Sequence, residues 1–185
     1  MPSREMKTVS KTGLGKSLFA SWRFINRGTD EEKLNPEFVL NQEEYSQASI
    51  LLTGRNMGCG SSREFAVWSL VDFGIRAIIA PSFGSIFFTN CIRNGLLPIV
   101  LDEQAIASLA DYVILNPQAN QLDIDLKTCH VTGPEGVTYP FELQSGFQVM
   151  LLEGLDAIDV TDKLSKEIDA FKTTDIQKRP WAYLN

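Results

Sequence analysis

Three short apolar runs separated by helix-length stretches constrain this chain more than any other feature. The first is Ala48-Ser49-Ile50-Leu51-Leu52, stopped by Gly54. The second is Arg76-Ala77-Ile78-Ile79-Ala80, ended by Pro81, and the third is Leu97-Pro98-Ile99-Val100-Leu101. Runs this short, without polar alternation, suit strands buried on both faces. Between the first two lies a glycine-rich turn, Gly58-Cys59-Gly60-Ser61-Ser62, and then a helical stretch to about Phe73 with Gly74 as its C-cap. That stretch is apolar nearly all round, which predicts a buried helix. A second helix is predicted from Ser85 to about Arg93. Strand–helix alternation of this kind builds βαβ units and a parallel sheet covered on both faces.

The flanks read differently. Up to about Asn35 the chain is polar, with Gly13, Gly15, Gly28 and the charged patch Asp30-Glu31-Glu32-Lys33, which predicts an arm of loop and short helix. Asp102 is placed to cap a helix running to about Val113. Leu122-Asp123-Ile124-Asp125-Leu126 alternates with period two, Gly133-Pro134-Glu135-Gly136 reads as a turn, and 137–143 returns. An antiparallel hairpin is therefore predicted. Helices come next around 147–153, stopped by Gly154, and 162–171, with Thr161 as the cap of the latter. With 185 residues and 44% hydrophobic content, the whole reads as one mixed α/β domain over 1–185. Residues 1–35 form its N-terminal arm and 172–185 its C-terminal tail.

Charge and composition exclude several function classes. Lys and Arg number 17 against 23 Asp and Glu, a net −6, so the chain lacks the basic surface that nucleic acid requires. No apolar run approaches the ~20 residues of a membrane span, and Met1-Pro2-Ser3-Arg4-Glu5 opens no signal-peptide core. Cys59, Cys91 and Cys129 are odd in number and widely spaced, which speaks against a disulfide framework. A cytoplasmic protein is expected. Thr12-Gly13-Leu14-Gly15-Lys16-Ser17 imitates a phosphate loop, but Ser10 stands where the first glycine is needed and no strand precedes it. That reading is rejected.

The informative segment is Gly58-Cys59-Gly60-Ser61-Ser62-Arg63-Glu64. Its glycines permit a sharp turn and close approach of backbone to a ligand. Ser61 and Glu64 have capping-box spacing, so a helix should begin there. A helix N-terminus with two hydroxyls and a guanidinium is a receptor for a carboxylate or phosphate. Spacing alone leaves two readings open, an anion receptor or an ordinary capped helix. Cys59 as nucleophile would need a histidine, and the one in the chain, His130, sits beside Cys129 in the hairpin. No cluster of side chains has metal-ligand spacing, so no metal site is expected. Trp68, Phe73, Phe83, Phe87 and Phe88 read as core. Lys178-Arg179-Pro180-Trp181-Ala182-Tyr183 reads as a docking tail.

These segments together resemble a known family. Alongside the Gly58–Glu64 block stand Ala80-Pro81-Ser82-Phe83-Gly84-Ser85-Ile86-Phe87 and Asn94-Gly95-Leu96-Leu97-Pro98-Ile99. Gly13-Leu14-Gly15-Lys16-Ser17-Leu18-Phe19, Trp22-Arg23-Phe24, Asn35-Pro36-Glu37-Phe38-Val39-Leu40-Asn41 and Gly154-Leu155-Asp156 extend the likeness over almost the whole chain. The sequence resembles the small subunits of 3-isopropylmalate dehydratase, the separate swivelling domain of the aconitase superfamily. The resemblance implies a three-layer β/β/α swivelling domain with a parallel-sheet core and a C-terminal hairpin plus helices. It implies a large-subunit partner carrying a 4Fe-4S cluster, with no cofactor on this chain. It implies a small dicarboxylic acid as substrate, Ser61 as general base, Ser62 and Arg63 as carboxylate-binding residues, and Gly58, Cys59 and Gly60 as the backbone of the site loop. The reaction implied is the conversion of 2-isopropylmalate to 3-isopropylmalate by dehydration and rehydration, in leucine biosynthesis.

The resemblance also implies that Arg4, Met6 and Lys7 fall in a loop that reads the substrate's variable substituent. Met6 suits an isopropyl group and Lys7 an extra carboxylate, so citraconate-, dimethylmalate- and homoaconitate-type diacids stand as alternatives. The chain departs from the family at Phe65, where a histidine is usual, and at Gly146-Phe147-Gln148-Val149-Met150, which lacks the usual basic residues. Met1-Pro2-Ser3-Arg4-Glu5-Met6 resembles the stretch directly after the family's first strand and its Asp-Thr-Asp segment. A chain without that strand is expected to self-associate and to be weakly active at best. A non-catalytic regulatory relative is the remaining alternative.

Overall fold

A computed structural model describes residues 12–60 and 64–183. At its centre lies a parallel three-stranded sheet of β3 (Ile50–Leu52), β4 (Ala77–Ala80) and β5 (Leu97–Val100), in that spatial order. Leu51 pairs with Ile78, and Ile79 with Ile99. Alternate side chains feed two cores. Ala77, Ile79, Leu97 and Ile99 point to one face, where they meet Ala105, Ile106 and Leu109 of α4 (Glu103–Leu115) together with Val131 and Phe141. Ile78 points to the other, against Val67 and Leu70 of α2 (Glu64–Phe73) and Phe87 and Cys91 of α3 (Ser85–Arg93). β4 is buried at all four positions, as its unbroken apolar run requires.

α2 is less buried than its composition suggests. Val67, Ser69 and Leu70 face the core, while Glu64 and Asp72 are exposed. Ser69 is tolerated at full burial because its hydroxyl donates to the Ala66 carbonyl at 2.8 Å. Asp102 caps α4 by accepting from the Ala105 N–H at 2.7 Å.

The arm before residue 35 meets α2 through its first part, Gly15 to Arg23. A turn of 3-10 helix (Gly15–Ser17) leads to α1 (Ala20–Arg23), then β1 (Phe24–Ile25) pairs antiparallel with β2 (Lys33–Leu34). Leu14, Leu18 and Ala20 are buried, and Leu18 joins the core beneath α2. Gly15 passes so close to Phe73 that a Cβ would stand 2.8 Å from the Phe73 backbone nitrogen. Its N–H donates to Asp72 Oδ2 at 2.7 Å. Arg23 donates to the Gly15 carbonyl at 3.0 Å and stacks 4.7 Å above the Phe73 ring. Burial, then Arg27 nearby, lowers its pKa.

The second half corrects the hairpin. β6 (Asp123–Asp125) pairs with β7 (His130–Thr132), and β7 with β8 (Thr138–Pro140), forming an antiparallel meander. Asp125 Oδ1 accepts from the Lys127 and Thr128 N–H groups at 2.8 and 3.3 Å, closing an unforeseen turn before β7. The Gly133–Gly136 turn instead joins β7 to β8. α5 (Ser145–Glu153) ends on Gly154 in the left-handed region, φ 66°. A further helix, α6 (Ala157–Asp162), is started by an Asp156–Asp159 capping box. α7 (Ser165–Lys178) therefore starts later and runs longer than expected, and Thr161 lies inside α6, bonded to the Ala157 carbonyl. The tail turns back, and Tyr183 donates to Asp175 at 2.8 Å.

Candidate active site

The carboxyl ends of the parallel strands carry the candidate site, the position where open α/β sheets place ligands. Two loops meet there, residues 53–60 after β3 and 81–84 after β4. They join as a short parallel bridge, Met57 to Phe83. The Met57 N–H donates to the Ser82 carbonyl, and the Gly84 N–H to the Met57 carbonyl, both at 2.9 Å. The Ser82 hydroxyl accepts the Asn56 N–H at 2.9 Å and lies 3.4 Å from Asn56 Oδ1.

This packing explains the glycines. Gly58 adopts φ 75°, and a Cβ there would stand 2.1 Å from Phe87 Cγ. A Cβ on Gly84 would stand 2.9 Å from the Gly58 carbonyl oxygen. The chain then emerges: Cys59 and Gly60 are exposed. Cys59 is tied back by its N–H, which donates to the Asn56 carbonyl at 3.1 Å.

Of the residues singled out from sequence, the structure brings Gly58, Cys59 and Gly60 together in this turn. Ser61, Ser62 and Arg63 occupy the sequence between the turn and α2 and lie outside the described residues, as do Arg4, Met6 and Lys7. Phe65, in the first turn of α2, packs edge-on to Trp68 with ring centroids 5.1 Å apart. Trp68 in turn donates to Asn94 Oδ1 at 2.8 Å, tying α2 to the end of α3. His130 lies away from the turn, in β7, with Nδ1 2.6 Å from the Thr128 carbonyl oxygen.

The residues that sequence reading missed are Asn56 and Ser82. Ser82 lies within the Ala80–Phe87 segment without being singled out for a role, and Asn56 lies in no motif, although it is of the type that tolerates its left-handed φ of 60°. Arg55 was also unmarked. It forms an ion pair with Glu103 across the mouth of the sheet, which raises the arginine pKa and lowers that of the carboxyl.

Comparison with known proteins shows which family the chain belongs to. The family of the aconitase C-terminal domain matches residues 1–104. The 3-isopropylmalate dehydratase small subunit of Cupriavidus necator is 54% identical over 185 residues, all of this chain and 88% of that one. The chain belongs to the 3-isopropylmalate dehydratase small-subunit family. It is thus a hydro-lyase subunit, and membership implies a large-subunit partner. The small subunit of Polaromonas sp. strain JS666 is 46% identical over 98% of this chain and 86% of its own. In fold, the chain resembles the 3-isopropylmalate dehydratase structure from Methanocaldococcus jannaschii, with a TM-score of 0.60, 24% identity and coverage of 93% and 88%.

The family's 4Fe-4S cluster does not fit the described residues. No three His, Cys, Asp or Glu side chains among them converge on one point. Cys91 is sealed within α3, where burial pushes its thiol up to about 12, opposing the thiolate that a cluster needs. Among the described residues, no helix is long and apolar enough to cross a membrane.

Proposed function

We propose that this chain closes, as a swivelling lid, over a large subunit that holds the 4Fe-4S cluster, and that the pair isomerises 2-isopropylmalate to 3-isopropylmalate in leucine biosynthesis. The observation that carries this reading is the exposed turn at Cys59 and Gly60, fixed at the carboxyl edge of the sheet and leading in sequence through Ser61-Ser62-Arg63 into α2. In this reading Arg63 holds a substrate carboxylate through its planar fork, with Ser62 donating a second hydrogen bond. The Ser61 hydroxyl oxygen, as alkoxide, takes the proton from the carbon beside the hydroxyl-bearing carbon. The C–H electron pair forms the double bond as the neighbouring C–O bond breaks. The hydroxyl leaves as hydroxide, which takes a proton from solvent to become water, while the abstracted proton stays on Ser61 and an alkene diacid remains. Return of proton and hydroxyl in the opposite sense completes the isomerisation. No step on this chain runs through the cluster.

An alkoxide needs local positive potential, and the start of α2 with Arg63 would supply it. Arg4, Met6 and Lys7 contact the variable substituent in the same reading, with Met6 favouring the isopropyl group.

The test is co-expression with a candidate large subunit and a panel of diacids. Turnover of 2-isopropylmalate in the complex, and none by this chain alone, is the expected outcome. Ser61→Ala should lower kcat by roughly three orders of magnitude or more without loss of folding. Arg63→Lys should chiefly raise KM, since an ammonium cannot reproduce the fork. A Ser61→Ala complex that turns over at the wild-type rate removes Ser61 as the base. A complex that forms but acts on no diacid points to the regulatory alternative.

A further inference from the structure

The turn is exposed at Cys59 and Gly60, and two residues leading into it hold left-handed backbone, Asn56 at φ 60° and Gly58 at φ 75°. Glycine adopts that region freely; asparagine does so at a cost unless its neighbours hold it. The structure assigns that holding to Ser82, a positioning residue whose hydroxyl sets the pose of the substrate-binding turn. The assignment rests on the reading of 58–63 as the substrate site.

The geometry is specific to this residue. Ser82 sits at the end of β4, outside the turn, and meets the turn through two different groups. Its carbonyl accepts the Met57 N–H at 2.9 Å, a bond that any residue at 82 would make. Its hydroxyl accepts the Asn56 N–H at 2.9 Å, a bond that needs an oxygen on Cβ. The same hydroxyl has one proton to give, and Asn56 Oδ1 lies 3.4 Å away to receive it. Both the backbone and the side chain of Asn56 are thereby tied to the loop that leaves β4, the most deeply buried strand of the sheet. The Asn56 carbonyl then accepts from the Cys59 N–H at 3.1 Å, so the hold on Asn56 passes directly to the exposed part of the turn.

The fold around Ser82 does not depend on its hydroxyl. The strand bridge, the Gly84–Met57 bond and the Phe87 ring over Gly58 all remain when it is removed. Its loss should loosen the turn without opening the core. Misplacement of a reacting group by about 1 Å can cost ~100-fold in rate, so the loosening should appear in turnover.

The experiment compares Ser82→Ala and Ser82→Thr, each in complex with the large subunit and each as the free chain. Ser82→Ala should lower kcat roughly ten- to a hundredfold, and Ser82→Thr, which restores the oxygen, should return it to within about threefold. In the free chain, hydrogen exchange of the Asn56–Cys59 amides should speed up in Ser82→Ala while the β4 amides keep their protection. Unchanged kcat in a folded Ser82→Ala complex overturns the inference, as does equal loss in the alanine and threonine variants, or exchange at the turn that matches wild type. Ser61→Ala run in parallel separates this inference from the site assignment. If Ser61→Ala loses turnover and Ser82→Ala does not, the positioning role fails alone. If Ser61→Ala turns over normally, the assignment of Ser61 fails, while the kcat and exchange of the Ser82 variants still decide the role of the hydroxyl.

Discussion

α2 and α7 are helices of ten and fourteen residues, and the shorter one is far more deeply tied to the fold. α2 buries Val67, Ser69 and Leu70, receives the Gly15 strap at Asp72, and begins beside the candidate site. α7 buries only Asp175, leaving Phe171 60% and Ile176 48% exposed. Its C-terminal end is held by its own chain. Arg179 donates to Asp175 through Nε and Nη2 at 2.8 and 2.7 Å, and Tyr183 through its hydroxyl. Length therefore says little about how a helix contributes. Burial against the sheet couples α2 to global stability, whereas the end of α7 rests on pairs made with the chain directly after it, which should open locally.

Substitutions can sharpen or break that contrast. Leu70→Ala should cost ~2–5 kcal/mol in denaturant unfolding, because Leu70 is fully buried between α2 and the sheet. Phe171→Ala, the deletion of a larger side chain from α7, should stay within about 0.5 kcal/mol. Comparable losses would show that α7 is packed in solution. Gly58→Ala should cost ~2–3 kcal/mol, since a Cβ at 2.1 Å from Phe87 forces the ring or the turn to move and the positive φ adds strain. A milder result would mean that the turn relaxes away from α3, and turnover in the complex should then fall with it. Asp72→Ala should cost on the order of 1 kcal/mol by orphaning the Gly15 N–H. Amide exchange at Gly15 would report that loss.

The smallest effect is a pH effect. The Arg179 hydrogen bond, aided by Tyr183, holds the Asp175 carboxyl below its usual range. A carboxylate depressed on folding contributes stability that is complete above its unfolded pKa, about 3.9, and is lost as pH falls through the lowered folded value. Below about pH 4, exchange at residues 175–183 should therefore rise while the β4 amides stay protected. Simultaneous loss of both would break the distinction between a local and a global helix.

The two halves of the chain are not equally legible in the sequence. The parallel core is, because its three apolar runs are short and are bounded by Gly54, Pro81 and Asp102, and the observed strands fall within them. The meander reads one strand short because its first turn carries neither glycine nor proline. It is closed by the Asp125 side chain, and Cys129 takes the left-handed φ of 56° that a glycine would normally announce. α6 escapes notice because its capping box uses aspartate at both positions, where the usual signal ends in glutamate or glutamine. At the candidate site, the glycines of 58–60 are readable from local chemistry. The hold of Ser82 on Asn56 is not, since it spans 26 residues and is created only when β3 and β4 pair.

The central sheet has two unequal borders. On β5 the N–H groups of Leu97 and Leu101 point inward to β4, so Pro98 stands on the outward side, where it has no N–H to offer a neighbour. On β3 the Thr53 N–H points inward, so Ile50 and Leu52 turn their backbone groups outward, and among the described residues no strand pairs with them. Unlimited stacking of copies edge to edge requires an available border on each side of every copy. Here one border is blunted. Two copies meeting through β3 would use up the unblocked border of the central sheet in each, so that sheet could extend across one such contact but not continue past β5.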